Sequence, residues 1–155
     1  MNLFQLLPIG IASGVALYIS LIDIREMRIP NRILFPGISL TLLSALFIAA
    51  LTDDLSRFLL SALGGLIATL IFFLIHLLNP AGLGMGDVKF AGLIGIALSW
   101  IAFPIGLLGL IVSFFASGIF SILRIMISGH KPNALIPFAP FMLLGLLFVE
   151  LGMLL

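Results

Sequence analysis

FAGLIGIALSWIAFPIGLLGLIVSFFASGIFSIL, residues 90–123, runs for 34 positions without an Asp, Glu, Lys, Arg or His. A helix needs roughly 20 apolar residues to cross the hydrocarbon core of a bilayer. The run is therefore too long for one crossing and just long enough for two. Ser99, Trp100 and Pro104 stand near its middle. Tryptophan suits the membrane interface, and proline suits the first turn of a following helix, where its missing N–H costs nothing. The stretch reads as a tight membrane hairpin, with helices over 88–103 and 104–124.

Working outward, uncharged apolar runs at 3–22, 33–51 and 58–78 precede the hairpin, and a last run at 135–155 follows it. Composition agrees with this reading: 63% of residues are apolar and 8% charged, and the mean hydropathy is +1.40. Soluble domains carry roughly 25% charged residues. So few charges cannot cover a water-soluble globule, and so apolar a chain is not disordered. The expected fold is an all-α membrane protein, a polytopic bundle of about six transmembrane helices forming one integral-membrane domain over 1–155. The first run reads as a retained helix, because a signal peptide places its basic residues before the apolar segment and here they follow it.

Placing the charges tests the count of spans. Arg25, Arg28 and Arg32 fall in the first loop, Lys89 in the third, and Arg124 and Lys131 in the fifth, whereas Arg57 shares the opposite side with Asp53, Asp54 and Glu150. The positive-inside rule then puts loops one, three and five in the cytoplasm of a plasma (inner) membrane protein, with both termini outside. Seven Lys and Arg in total and a net charge of +1 leave no basic stripe for nucleic acid. No cysteine is present, so disulfides, thiolate metal sites and a cysteine nucleophile are excluded. Two histidines supply no evident metal site, and no cofactor is expected.

Two acidic residues stand apart from the rest. Asp23 directly follows the first apolar run, and Asp87 lies in GMGDVK at 84–89, directly before the fourth. Two crossings separate them, which returns the chain to the same face. Paired carboxylates cannot both ionise easily and tend to hold one proton between them, so that one serves as acid while the other serves as base. Such a pair activates a water against a peptide carbonyl. Gly84 and Gly86 would allow close approach of a substrate backbone. The competing reading of this motif is a glycine-rich turn with Asp87 capping a helix N-terminus.

Asp23, Arg28-Ile29-Pro30-Asn31, GMGDVK at 84–89 and IPFAPF at 136–141 together resemble the type IV prepilin peptidases, a family of intramembrane aspartic proteases with a GxGD motif. Ala139 stands where that family more often has glycine. The resemblance implies an aspartic endopeptidase that removes the leader of type IV prepilin-like precursors at the cytoplasmic face, with Asp23 and Asp87 as the catalytic pair. It also implies site-shaping or substrate-binding roles for Gly84, Gly86, Lys89, Pro30, Asn31, Pro137, Phe138 and Pro140. The chain is similar to short forms of the family, such as those serving tight-adherence (Flp) pili and the archaeal preflagellin peptidases. It lacks the cysteine-bearing region of the longer members, so N-methylation is not expected.

Other residues have plainer readings. Lys89, close after Asp87, would either favour the ionised carboxylate or anchor the chain at the membrane surface among lipid headgroups. The arginines of the first loop are explained by topology alone. His76 reads as a hydrogen-bonded packing residue, His130 as solvated, and Glu150 as an interfacial charge. A competing function is a transporter subunit using the carboxylates as proton or cation sites, because acids within membranes commonly mark ion pathways. That reading expects repeated halves and acids near the bilayer midplane; here both acids lie at one end and no inverted repeat is evident. A third function, non-catalytic assembly, would tolerate neutral residues at both aspartates.

Overall fold

The computed structural model describes residues 3–80, 82–128 and 136–154. His130 and Lys131, placed by sequence in the fifth loop, lie outside them. The described residues form six α-helices: α1 Leu7–Glu26, α2 Asn31–Leu51, α3 Leu55–Leu78, α4 Met85–Ala102, α5 Leu108–Ser128 and α6 Ala139–Leu154. Single 3-10 turns, Leu3–Leu6 and Ile105–Leu107, precede α1 and α5. Five helices are long and apolar enough to cross a membrane, and α6 is a shorter apolar helix. This is an all-α polytopic bundle.

The ends of the helices follow local chemistry. Pro8 stands in the first turn of α1, and the helix stops at Met27, whose left-handed φ of 51° lets its N–H reach the Asp23 carbonyl. Hydropathy alone ended this helix at residue 22; the backbone ladder continues for another turn and takes Asp23 into it. Pro30 opens α2, its carbonyl accepting the N–H groups of Ile33 and Leu34 at 3.1 Å each. Asp54 caps α3 by accepting the Arg57 N–H at 3.1 Å. The Ser56 hydroxyl and that N–H hold the Asp54 carboxyl below the usual carboxylate range.

Two boundaries differ more from expectation. Helix α5 begins at Leu108 instead of 104, because the chain turns through Pro104 and a 3-10 segment first, and it continues to Ser128, so Arg124 belongs to the helix instead of a loop. The last helix begins at Ala139 instead of 135, and residues 136–138 are not helical. Pro137 disfavours helical backbone at Ile136, whereas Pro140 falls within the first turn of α6, where proline is tolerated.

Helix α4 is the centre of the bundle, buried by α3 along its length and by α1, α2 and α6 on its other sides. Small residues permit the α3–α4 approach. A Cβ on Gly95 would stand 2.8 Å from the Gly64 carbonyl oxygen, and a Cβ on Gly64 would overlap the Ser99 hydroxyl. Packing at this distance replaces the hydrophobic drive that helices lose in lipid. Ser61 adds a hydrogen bond from its hydroxyl to the Ile96 carbonyl, 2.9 Å. Helix α5 packs chiefly on α6 and hardly touches α4.

At the far end of α4 from Asp87, Trp100 is buried within the bundle. Its indole N–H donates to the Gln5 carbonyl at 2.9 Å, and the Arg57 guanidinium lies 4.7 Å over its ring. The Arg57 Nε–H also donates to the Trp100 carbonyl at 3.0 Å. Arg57 thus covers the tryptophan at this end of the span.

Candidate active site

The C-terminal ends of α1 and α3, the N-terminal end of α4, the middle of α5 and the non-helical segment entering α6 surround a cleft of about 870 Å³. Asp23 and Asp87 both line it. Asp23 reaches it because α1 continues one turn past its apolar run, and its side chain is buried, 5% exposed. Its Oδ2 accepts the Ala139 N–H at 3.1 Å. That N–H belongs to the first turn of α6, whose amides have no partner within their own helix, so a carboxylate of α1 satisfies the start of α6.

Asp87 sits in the first turn of α4. Its Oδ2 accepts the Gly84 N–H at 3.0 Å, and its own N–H donates to the Gly84 carbonyl at 3.1 Å. The capping reading of the GMGD motif is therefore correct as geometry. It also fixes the carboxylate at the cleft that Asp23 lines as well. Each carboxyl group thus has one oxygen held by a backbone N–H, which limits its rotation.

The loop before α4 is held from α3. The His76 Nδ1 lies 2.7 Å from the Leu83 carbonyl oxygen; a carbonyl only accepts, so the ring donates from Nδ1. Asn79 accepts the Gly82 N–H through both its carbonyl, 3.1 Å, and its side chain, 3.2 Å. His76 is hydrogen-bonded, as its sequence reading held, and its bond braces the segment that delivers Gly84 to Asp87.

The remaining expected residues divide into two groups. Gly84, Pro137 and Phe138 line the cleft with the aspartates. Gly86, Lys89, Pro30, Asn31 and Pro140 are not among its lining. A Cβ on Gly86 would stand 3.0 Å from the Ile29 Cβ, so this glycine lets the first loop pack against α4. The Lys89 ammonium donates to the Asn31 side chain at 3.2 Å and lies 5.4 Å over the Phe35 ring. It joins α4 to α2 instead of serving as the counter-ion of Asp87. Pro30 and Asn31 thus hold the loop that carries Gly86's neighbour, outside the cleft itself.

Sequence reading missed the wall opposite the aspartates. Phe114, Ser117, Gly118 and Ser121 of α5 line the cleft, at the i, i+3, i+4, i+7 spacing of one helical face. The spacing of small and hydroxyl residues was the available signal. Phe114 and Phe138 meet at a tilt of 47° with centroids 5.1 Å apart, and each meets the buried Phe72, at 5.1 and 6.0 Å, giving this part of the cleft an apolar backing. Among the described residues no three His, Cys, Asp or Glu side chains gather as a metal site.

No curated protein and no solved structure matches the chain. A family model described as the type IV leader peptidase family matches residues 10–123, a stretch that covers well over half of the chain and contains both cleft aspartates. The chain is a member of the type IV leader peptidase family, a membrane-embedded peptidase.

Proposed function

We propose that this protein is an intramembrane aspartic endopeptidase that removes the leader from type IV prepilin-like precursors at the cytoplasmic face of the plasma membrane, with Asp23 and Asp87 as its catalytic pair. The observation that carries this reading is the meeting of the two carboxylates, 64 positions apart in sequence, on one cleft open to the outside of the bundle. The charge distribution supports the choice of face, because the cleft lies at the end of the bundle that bears Arg25, Arg28, Arg32, Lys89 and Arg124.

In this reading the pair holds one proton. The ionised aspartate takes a proton from water as the water oxygen bonds to the scissile carbonyl carbon, and the protonated aspartate donates to the carbonyl oxygen. The tetrahedral intermediate then collapses: the C–N bond breaks, the leaving nitrogen takes a proton from the carboxyl group that gained one, and the other carboxylate recovers its own. The leader leaves with a carboxylate, and the mature subunit with a free amine. The Ala139 and Gly84 N–H groups hold the carboxylates in position throughout. Phe114 and Phe138 would receive the apolar residues beside the cut.

Co-expression with a prepilin-like precursor from the same genome tests the reading. The wild type is expected to shift the precursor's mass by that of its leader. If a precursor that the wild type processes is processed equally well by Asp87→Asn at matched membrane level, the reading fails.

A further inference from the structure

A second polar tie links the helices that hold Asp23, and the catalytic scheme above makes no use of it. In the half of the bundle away from the cleft, the Ser13 hydroxyl of α1 donates to the Glu150 Oε1 of α6. Helices α1 and α6 run antiparallel and pack along their length, and at the cleft end the Ala139 N–H of α6 donates to Asp23 of α1. We propose that Glu150 is a positioning residue, which through Ser13 sets the axial register of α6 against α1 and so holds the Ala139 N–H on Asp23. This inference rests on the reading of Asp23 as catalytic.

Three observations support it. First, the spans between the ties match. Ser13 and Asp23 are about ten residues apart on α1, and Ala139 and Glu150 about eleven on α6, which is about 15 and 16 Å at the helical rise. Only one axial alignment satisfies both ties. Second, at and between the two ties the buried face of α1 offers Ala12, Ala16 and Ile19, with Ser20 as its one other buried polar side chain, and no hydrogen bond from Ser20 to α6 is found among the described residues. Apolar burial is non-directional and does not by itself stop one helix sliding along another. Third, a carboxyl group within an apolar helix is costly and marks a specific use, and Glu150 is only partly exposed. On its other side α6 is seated on α5, where a Cβ on Gly109 would stand 2.8 Å from the Gly145 carbonyl oxygen. A slip of α6 would therefore also move the α5 wall of the cleft.

The test uses the full-length protein in liposomes with a prepilin-like precursor, measuring kcat and KM for wild type, Ser13→Ala, Glu150→Gln and Glu150→Leu, with Asp23→Asn and Asp87→Asn alongside. Glu150→Leu and Ser13→Ala are expected to lower kcat about tenfold with KM unchanged. The double variant Ser13→Ala/Glu150→Leu is expected to be no worse than Glu150→Leu. Glu150→Gln is expected to retain wild-type kcat, because its amide oxygen accepts the same hydrogen bond. If Glu150→Leu inserts poorly, Ser13→Ala and the Gln variant carry the comparison. Wild-type kcat in Ser13→Ala or Glu150→Leu, a change in KM alone, or loss in Glu150→Gln equal to that in Glu150→Leu would each overturn the positioning role. If those results come with inactive Asp23→Asn and Asp87→Asn, the aspartate reading stands and only the role of Glu150 falls. Activity in Asp23→Asn removes both.

Discussion

Gly118→Leu separates the cleft's role from the stability of the bundle, because the structure predicts effects of opposite sign. A Cβ built on Gly118 meets no heavy atom within 4 Å, so a side chain can start there without moving the backbone of a neighbouring helix. Within a helix, leucine in place of glycine is favoured by up to about 0.8 kcal/mol. For a chain of this size each kcal/mol moves the midpoint by about 2–4 °C, so thermal unfolding should be unchanged or rise by up to about 3 °C. The same side chain narrows the cleft opposite the aspartates, where an extended precursor segment would lie. Obstructing the path of that segment is expected to lower kcat/KM by about tenfold, or ~1.4 kcal/mol of transition-state stabilisation. Precursor cleavage in liposomes and unfolding of the same preparation in detergent read the two effects together. Cleavage at the wild-type rate would refute the cleft as the substrate path. A lower midpoint would refute the openness of the space at Gly118.

Three further outcomes follow from single contacts. Gly95→Ala places a Cβ 2.8 Å from the Gly64 carbonyl oxygen, and since backbone cannot yield as a side chain can, α3 and α4 must separate; the expected loss is about 1–3 kcal/mol, visible as a midpoint lowered by several degrees. His76→Ala removes the donor to the Leu83 carbonyl, worth about 1 kcal/mol, and should lower kcat about fivefold while helix content by circular dichroism stays unchanged. Asp54→Ala removes the cap of α3. Because the Asp54 carboxyl is held below its ordinary range when folded, its stabilisation is present above that range and lost as the pH falls through the folded value, so the midpoints of wild type and Asp54→Ala should converge in acid.

Much of this architecture was legible because bilayer thickness acts on local composition: the 90–123 run had to fold back, and it does so at Pro104. Boundaries were less legible where hydropathy and hydrogen bonding disagree. Asp23 is charged, so an apolar window ends before it, but the helical ladder does not stop at a charge and runs on to Glu26. Asp23 and Asp87 could be paired by counting crossings, since an even number returns the chain to one face. The α5 wall, the Ser13–Glu150 tie and the burial of Trp100 depend on how helices rotate against one another, which is decided by contacts between residues far apart in sequence. The partner of Glu150 is 137 positions away in sequence, so the tie has no local signal. For Lys89 the sequence left two readings open, an electrostatic partner of Asp87 or an anchor, because nearness in sequence does not set where a helical side chain points; its ammonium donates to Asn31.

The central claim is that Asp23 and Asp87 together perform the hydrolysis. Its most direct test is single-turnover cleavage of a purified precursor by wild type, Asp23→Asn and Asp87→Asn in liposomes, each at matched, correctly folded concentration, with precursor binding measured in parallel. The account predicts that either substitution abolishes cleavage while binding persists. Cleavage by either variant at a rate comparable to wild type would contradict it.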